Sequence, residues 1–237
     1  VNVINSSIAR ISDYILPTLA GPEIGVASTK AFTSQLAVLV LFSLYIGNQK
    51  IISKKNNYKK EFNSLFNIPK QVASILSNTN KIKKISVNLH KSKSIFFIGR
   101  GIMYPLALEG ALKLKEITYK HCEGYAAGEL KHGPLALIEK NIPLIALAPF
   151  DNNFDKIMSN IQEVKARGGL IILITDSIGA KKAKKYSDQI ILMPQTNFLS
   201  SPILYSIPIQ LISYFLAVKL KRDIDKPRNL AKSVTVE

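Results

Sequence analysis

Three charged residues close together have the types and the spacing that could move a proton. Glu109, Lys113 and Glu116 are spaced i, i+4 and i+7, so they share one face of a helix. The positions around them are apolar: Leu106, Leu108, Leu112, Leu114 and Ile117. A carboxylate held beside a lysine in such surroundings could act as a general base at a carbon atom of a small substrate. A hydrated ladder of ion pairs is the alternative, and the spacing alone leaves both interpretations open.

His132 is the second candidate. It lies in the stretch Gly124–Pro134, between a short amphipathic segment and a Gly-Pro break, which is typical of a loop that carries functional residues. His90 and His121 have no such setting, and a structural role for His132 is as compatible with its position as a catalytic one. No pairing of His with Cys, Asp or Glu has metal-ligand spacing, so we predict no metal and no other cofactor.

The third candidate is a short glycine motif that follows an apolar run. Ile95–Ile98 reads as a strand, and Gly99-Arg100-Gly101 follows it directly. A tight turn into a helix N-terminus would offer amide donors to an anion. Any strand-to-helix turn favours glycine, so the motif by itself predicts the turn more strongly than the anion.

The elements that would position these residues alternate between strand and helix. Further strands are predicted at 142–148, 169–175 and 189–193, and helices at 105–121, 154–167, 181–186 and 202–221. Continuous Ile, Leu and Val runs separated by helices predict a parallel, doubly wound α/β sheet that is covered on both faces. Ligands bind beyond the carboxyl ends of the strands in such sheets, so we expect Lys113 and Glu116 at that mouth.

The first part of the chain has a different pattern. Residues 1–4 read as a strand entered midway, and a long helix is predicted from Ser28 or Thr29, either of which could cap it, towards Tyr45. Residues 51–86 predict lysine-rich linking helices that are broken once, at Pro69. We therefore expect the closing part of one domain, a helical linker and then a complete domain.

Composition excludes several classes of protein. The net charge is +16, but the lysines are spread along the 237 residues without interleaved aromatic side chains, so we predict no nucleic-acid binding. A basic surface would still attract an anionic small molecule. The single cysteine, Cys122, suits a reducing cytoplasm. Of two apolar runs, residues 35–47 are too short for a membrane span and residues 201–220 contain Pro208, so we predict no membrane segment.

Four motifs in the sequence resemble those of the glucosamine-6-phosphate synthase family, in the C-terminal part of its isomerase half. They are AGPEIGVASTKAFT at 20–33, LEGALKLKEI at 108–117, AGELKHGPLA at 127–136 and PRNLAKSVTVE at 227–237. The last motif is the most specific, because other proteins with sugar-isomerase (SIS) domains lack this terminal tail. The resemblance extends from one end of the chain to the other.

The resemblance implies two SIS domains that follow a glutaminase domain. Residues 1–54 would be the end of a truncated first SIS domain, 55–86 linking helices, 87–227 a complete second SIS domain and 228–237 an active-site tail. The implied activity converts fructose 6-phosphate to glucosamine 6-phosphate in the cytoplasm, with ammonia from a glutaminase domain outside these residues. A homodimer is also implied.

The resemblance also implies roles for individual residues. Lys232 would form a Schiff base with the ketone of the sugar, Glu116 would move a proton from C1 to C2, and His132 would assist ring opening in the neighbouring subunit's site. Lys113 would support charge on the sugar oxygens. The positions that would line the sugar are Val26, Ser28 and Ala231.

Two parts of the family's machinery lie outside these residues. The serine- and threonine-rich loop that binds the sugar phosphate and the cysteine nucleophile of the glutaminase would both precede Val1, and Cys122 does not replace that nucleophile. We therefore expect the 237 residues by themselves to be inactive. The alternatives are an inactive truncated relic and a non-catalytic phosphosugar-binding SIS module.

Overall fold

A five-stranded parallel sheet forms the centre of the C-terminal part of the chain. The computed structural model describes residues 1–49 and 58–232. The strand order is β2-β1-β3-β4-β5, and every pairing is parallel. The strands are β1 (Ser94–Gly99), β2 (His121–Ala126), β3 (Pro143–Leu147), β4 (Leu170–Thr175) and β5 (Gln189–Leu192). The chain order reverses between β1 and β3, as in a doubly wound fold, which confirms the predicted fold class.

Eight α-helices surround the sheet or precede it in the described residues. They are α1 (Ser7–Ile11), α2 (Lys30–Gln49), α3 (Tyr58–Leu76), α4 (Asn80–Asn88), α5 (Met103–Thr118), α6 (Phe154–Lys165), α7 (Ser177–Ala183) and α8 (Ser201–Lys219). One core lies between the sheet and α4, α5 and α8, with α3 and α2 packed outside it. The other core lies under α6 and α7. The sheet is therefore buried on both faces, which explains why its strands are uninterrupted apolar runs.

The edge strand β2 is the element that the sequence pattern did not reveal. We expected the helix to continue to His121, but α5 ends at Thr118 with Tyr119 in the left-handed conformation (φ 61°), and His121 begins the strand. Only one side of an edge strand pairs with the sheet, so its sequence, HCEGYA, lacks the apolar run of the inner strands.

The linker prediction was wrong at Pro69. The helix α3 continues through Pro69 to Leu76, although proline removes one backbone hydrogen bond. Ile68, Val72 and Ile75 pack into the core on the sheet face that carries α8, and this packing holds the helix together across the proline. The predicted domain boundary at residue 54 lies outside the described residues.

The N-terminal residues form no strand. The ammonium group of Val1 donates to the Leu16 carbonyl (2.9 Å), and the Thr18 amide donates to the Val1 carbonyl (2.9 Å), but residues 1–4 are irregular. Two such bonds tie the segments together, but an isolated pair of segments is too small to form a stable sheet.

Gly99 and Gly101 have a structural explanation in the turn from β1 into α5. A Cβ atom at Gly99 would lie 2.1 Å from the Met103 carbonyl oxygen, and Gly101 has a φ of +56°. The turn therefore needs both glycines for close approach and for a left-handed backbone. The anion site predicted at this motif stays a prediction.

Two helices are long and apolar enough to cross a membrane by length and composition, and they differ in burial. In Ser201–Lys219, 67% of the residues are buried, as expected for a core helix. In Lys30–Gly47, an 18-residue stretch of α2, only 11% of the residues are buried, and its length shows that the prediction of a run too short for a span was wrong. Its inner face, including Phe32, Leu36 and Val40, packs on the protein core.

Candidate functional site

The charged face of α5 is drier than a surface ladder of ion pairs. Lys113 is 5% exposed, and its Nζ lies 2.7 Å from Oε2 of Glu116 and 3.5 Å from Oε1 of Glu109. Burial raises the pKa of the Glu109 carboxyl, and the Lys113 ammonium opposes this shift. The buried ammonium group of Lys113 thus forms ion pairs with both carboxylates. Lys113 and Glu116 lie together, as the spacing predicted.

A cavity of about 330 Å³ lies beside Lys113. We call it the α5–α8 cavity, because Lys113 and Ile117 on α5 face Gln210 and Ser213 on α8 across it. Its other walls are the segment 22–29 with Lys30, the first residue of α2, and residues 224–225, which follow α8. The cavity therefore brings together the segment that leads into α2, the helices α5 and α8, and the residues that follow α8.

Glu23 organises the N-terminal wall of this cavity. Its carboxylate accepts hydrogen bonds from the Thr29 amide (2.8 Å), the Ala31 amide (3.3 Å) and the Ser28 hydroxyl (3.1 Å). These amides begin α2, so the predicted caps Ser28 and Thr29 donate to Glu23 instead of capping the helix themselves. A carboxylate is favoured at this position because the helix N-terminus carries partial positive charge.

Lys232 reaches the same carboxylate from the other end of the chain. Its Nζ lies 3.0 Å from Oε2 of Glu23, and its side chain is 45% exposed. Burial raises the pKa of Glu23, but hydrogen bonds from the Thr29 amide and from Lys232 outweigh burial and lower it to about 2. Glu23 is consequently anionic at neutral pH and too weak a base to take the proton of the lysine.

The predicted sugar-lining residues fall on both sides of this contact. The Val26 amide donates a hydrogen bond to the Asp225 carbonyl (2.8 Å), which joins the N-terminal segment to the residues between α8 and the tail. Ser28 donates to Glu23, and Ala231 directly precedes Lys232 in an exposed stretch. The remaining tail residues, 233–237, lie outside the described residues.

Sequence reasoning missed Glu23 and Tyr119. The Tyr119 hydroxyl accepts from the Arg228 amide (2.8 Å), and the guanidinium groups of Arg228 and Arg222 lie 4.3 and 5.1 Å from its ring centre. Tyr119 thus fastens the tail four residues before Lys232. Neither residue has a local signal, because each acts on a partner that is distant in sequence, although Glu23 does belong to one of the motifs quoted above.

His132 and Glu116 lie near opposite ends of the edge strand β2. It ends a 3-10 helix, Ala127–His132, that follows the carboxyl end of β2. Glu116 is in the last turn of α5, which runs back to the amino end of β2, and a six-residue strand spans about 20 Å. The His132 ring is exposed, and its Nδ1 is 2.8 Å from Oε2 of Glu129. The structure therefore separates these two residues within one chain.

The same topology corrects one expectation. We expected Lys113 and Glu116 at the carboxyl mouth of the sheet, but α5 starts there, and Lys113 lies about 15 Å along the helix. The site is on the sheet face that carries α5 and α8, where segments from both ends of the chain cover these two helices.

Cys122 and the possible metal ligands offer no further reactive group in the described residues. The thiol of Cys122 is fully buried, and burial raises its pKa to about 12, so the reactive thiolate is disfavoured. In the part of the chain that the structure describes, no group of three or more His, Cys, Asp or Glu residues could hold a metal ion.

Comparison with known proteins agrees with this architecture. The family that matches residues 88–220 is described as the SIS domain, and the chain belongs to this family. Within it, the chain is similar to curated relatives named glutamine–fructose-6-phosphate aminotransferase [isomerizing]. The relative from Mesorhizobium japonicum is 52% identical over 237 residues, which is 100% of this chain and 39% of the relative. The relative from Bartonella henselae has the same identity and the same coverage of both chains.

Solved structures give the same relationship. The C-terminal domain of glucosamine-fructose-6-phosphate aminotransferase from Francisella tularensis matches with a TM-score of 0.88 and 44% identity, covering 95% of this chain and 63% of that one. A glucosamine-6-phosphate deaminase from Thermotoga maritima matches with a TM-score of 0.72 at 20% identity, covering 99% of this chain and 65% of that one, and shows the shared fold alone. The chain thus corresponds to the C-terminal isomerase part of the aminotransferases, and it spans 39% of the length of the curated relatives.

Proposed function

We propose that these residues form the C-terminal isomerase part of an enzyme that converts fructose 6-phosphate to glucosamine 6-phosphate. The ammonia would come from glutamine through a glutaminase domain outside these residues. The observation that carries the proposal is the contact between Lys232 and Glu23 at the wall of the cavity that contains Lys113. This contact brings Lys232, which is expected to bind the sugar, towards Lys113 and Glu116, which are expected to catalyse its isomerisation.

Lys232 is the proposed nucleophile. Its neutral amine would attack the C2 carbonyl of fructose 6-phosphate, and water would leave as the imine forms. In the free protein Glu23 holds the side chain by an ion pair, so the sugar must displace this contact before the lysine can lose its proton and react. Val26, Ser28 and Ala231 would line the bound sugar.

Glu116 is the proposed proton carrier between C1 and C2. Lys113 touches its carboxylate at 2.7 Å and would stabilise negative charge that develops on the sugar oxygens. Because Lys113 is buried among mostly apolar neighbours, its charge acts with little screening by water.

His132 is proposed to act in a homodimer, in the neighbouring subunit's site. Its exposed ring and its position at the opposite end of β2 from Glu116 support this arrangement, because two residues separated by the length of that strand could not share a sugar within one chain. Assistance in opening the sugar ring is the role that we assign to it.

The proposed division of the chain keeps the predicted boundaries. Residues 1–54 would close a first SIS domain, 55–86 would link it to the second domain at 87–227, and 228–237 would form the active-site tail. The outer face of α2 supports this division, because Leu39, Phe42 and Tyr45 are exposed there and would pack against the rest of the first domain. We propose that this face contacts protein and not a membrane, and that the enzyme is cytoplasmic and binds no nucleic acid.

Covalent trapping tests the proposed nucleophile. The 237 residues are joined to the upstream region of the Mesorhizobium japonicum relative, and the fusion is incubated with radiolabelled fructose 6-phosphate and borohydride. We expect label on the peptide that contains Lys232, no label in Lys232→Ala, and full label in the control Lys226→Ala, which changes an exposed lysine shortly before the tail. Label that persists in Lys232→Ala would assign the imine to another lysine.

A further inference from the structure

A second cavity, of about 310 Å³, lies at the carboxyl ends of β3, β4 and β5. We call it the strand-end cavity. Its walls include Phe150 and Asp151 after β3, Asp176 after β4, Thr196 and Phe198 after β5, and Tyr205 on α8. It shares no lining residue with the α5–α8 cavity. Its volume suits a molecule of about the size of a hexose, at the lower end of the range for ligand pockets.

The strand-end cavity contains buried hydroxyl groups without partners. Tyr205 is 1% exposed, and its Oη has no hydrogen-bond partner within the described part of the chain. The Oγ1 atom of Thr196 is in the same condition. A buried hydroxyl that makes no hydrogen bond costs free energy, so these two groups are best explained by a polar molecule that enters the cavity.

The cavity is acidic, although the whole chain has a net charge of +16. Asp176 is 6% exposed and Asp151 is half-buried, and no lysine or arginine of the described residues lines the cavity. Burial, reinforced by the charges of Asp176 and Asp151, raises the pKa of Tyr205. The hydroxyl group therefore lies within the field of both carboxylates.

The amides that could attract an anion here are already occupied. Asp176 caps α7 by accepting from the amides of Ile178 and Gly179, and the Ser201 amide at the start of α8 donates to the carbonyls of Asn197 and Phe198. The amide of Phe150 also donates to Asp176, at 2.7 Å. A phosphate group would find two carboxylates and few free donors, so the cavity disfavours anionic ligands.

Two aromatic rings line the strand-end cavity in addition to its carboxylates and hydroxyl groups. Phe150 and Phe198 are 38% and 52% exposed and line the cavity. The Lys182 ammonium already lies 4.6 Å from the centre of the Phe150 ring, which is the geometry of a cation–π contact. The Phe150 ring therefore already contacts one ammonium group of the chain itself.

We propose that the strand-end cavity binds a small hydroxylated molecule that carries one ammonium group and no phosphate. The carboxylates of Asp151 and Asp176 would accept hydrogen bonds from the ammonium group of the ligand. The hydroxyl groups of Tyr205 and Thr196 would hydrogen-bond to its hydroxyl groups, and the rings of Phe150 and Phe198 would cover its apolar carbon atoms. This site is separate from the proposed catalytic site, and the inference does not rest on the proposed function.

Glucosamine and glucose form a matched pair of probes, because they differ only by an ammonium or a hydroxyl group at one carbon. Each is titrated into the isotopically labelled 237-residue chain at pH 6.5, where the amine is protonated, and binding is followed by NMR chemical shifts. We expect shifts around residues 150–151 and 195–198, with glucosamine binding at least about tenfold more tightly than glucose. Glucose 6-phosphate should not shift these residues.

Two variants locate the contact. Tyr205→Phe and Asp151→Asn should each weaken glucosamine binding about fivefold or more, whereas Asp155→Asn, an exposed change on α6, should leave it unchanged. Tyr205→Phe removes an unpartnered hydroxyl, so its thermal stability should equal or exceed that of the wild type. Asp151→Asn keeps an oxygen that can accept from the Asn153 amide.

Three results would overturn the proposal. They are glucosamine binding no tighter than glucose, shifts that fall outside the cavity, and no binding at high millimolar glucosamine. Preferred binding of glucose 6-phosphate at these residues would show instead that the cavity takes an anion.

Discussion

Oε2 of Glu23 lies 3.0 Å from Nζ of Lys232, although 209 positions separate the two residues in the chain. The same carboxylate accepts hydrogen bonds from the first amides of α2. One side chain therefore fixes both the start of a helix and the position of Lys232 in the tail.

Replacement of Glu23 should lower the stability of the fold by an amount that depends on pH. The folded pKa of Glu23 is about 2, below the ordinary value of 4.5, so its carboxylate stabilises the fold above about pH 4.5 and this stabilisation is lost as the pH falls towards 2. Glu23→Gln should lower the free energy of unfolding by on the order of 1–2 kcal/mol at pH 7. Denaturant unfolding at pH 7 and pH 3.5 should give a smaller difference at the lower pH.

The control for this experiment is Glu129→Gln. Glu129 is also paired, with His132, but its side chain is 66% exposed, so its replacement should change stability little at either pH. An equal cost for Glu23→Gln at both pH values would contradict the role of the ionised carboxylate.

Removal of the buried cation on α5 should destabilise the domain. Lys113→Met would leave the carboxylates of Glu109 and Glu116 partly buried without a counter-charge, at a cost of about 2–4 kcal/mol. Thermal unfolding measures the change, and Lys115→Met, which alters an exposed lysine on the same helix, is the control.

A second substitution distinguishes charge from packing in this experiment. The double variant Lys113→Met/Glu116→Gln should recover part of the lost stability, because one of the two stranded charges is removed. If Lys113→Met is neutral, or the double variant is less stable still, the carboxylates do not depend on Lys113.

Tyr119 should control access to the tail. Tyr119→Phe removes the hydroxyl that accepts from the Arg228 amide but keeps the ring under the guanidinium groups, so trypsin should cleave after Arg228 a few times faster. Tyr119→Leu loses the cation–π contacts as well, each worth about 0.5–1 kcal/mol at exposed sites, and should be cleaved faster still. The exposed Tyr104 on α5 provides the control Tyr104→Phe; unchanged cleavage in both Tyr119 variants would refute the anchoring role.

Glu116 and Lys232 should separate two steps of the proposed reaction. In the fusion with the upstream region of a relative, Glu116→Gln should still be trapped by borohydride but should lose turnover by about 10²–10⁴-fold, because imine formation needs only the amine. Glu109→Gln, on the same face of α5 but outside the proposed proton path, should lose less. Loss of trapping in Glu116→Gln would show that Glu116 acts before or during imine formation.

The local patterns predicted much of the fold. Four of the five strands were expected within about two residues of their observed bounds, because buried parallel strands are continuous apolar runs. The edge strand β2 was missed for the opposite reason, since its sequence is polar at several positions. Pro69 was expected to break a helix, but tertiary packing on the core held α3 together.

The candidate site divides in the same way. Glu109, Lys113 and Glu116 share a face because of helical spacing, which the sequence alone determines, and burial of Lys113 follows from its apolar neighbours. Only the tertiary structure decided that Glu23 holds Lys232, that Tyr119 anchors the tail, and that His132 and Glu116 lie at opposite ends of the edge strand β2. These relationships depend on how segments that are distant in sequence pack against each other. Residue spacing reports only on neighbours within one helix or strand, so it cannot reveal such contacts.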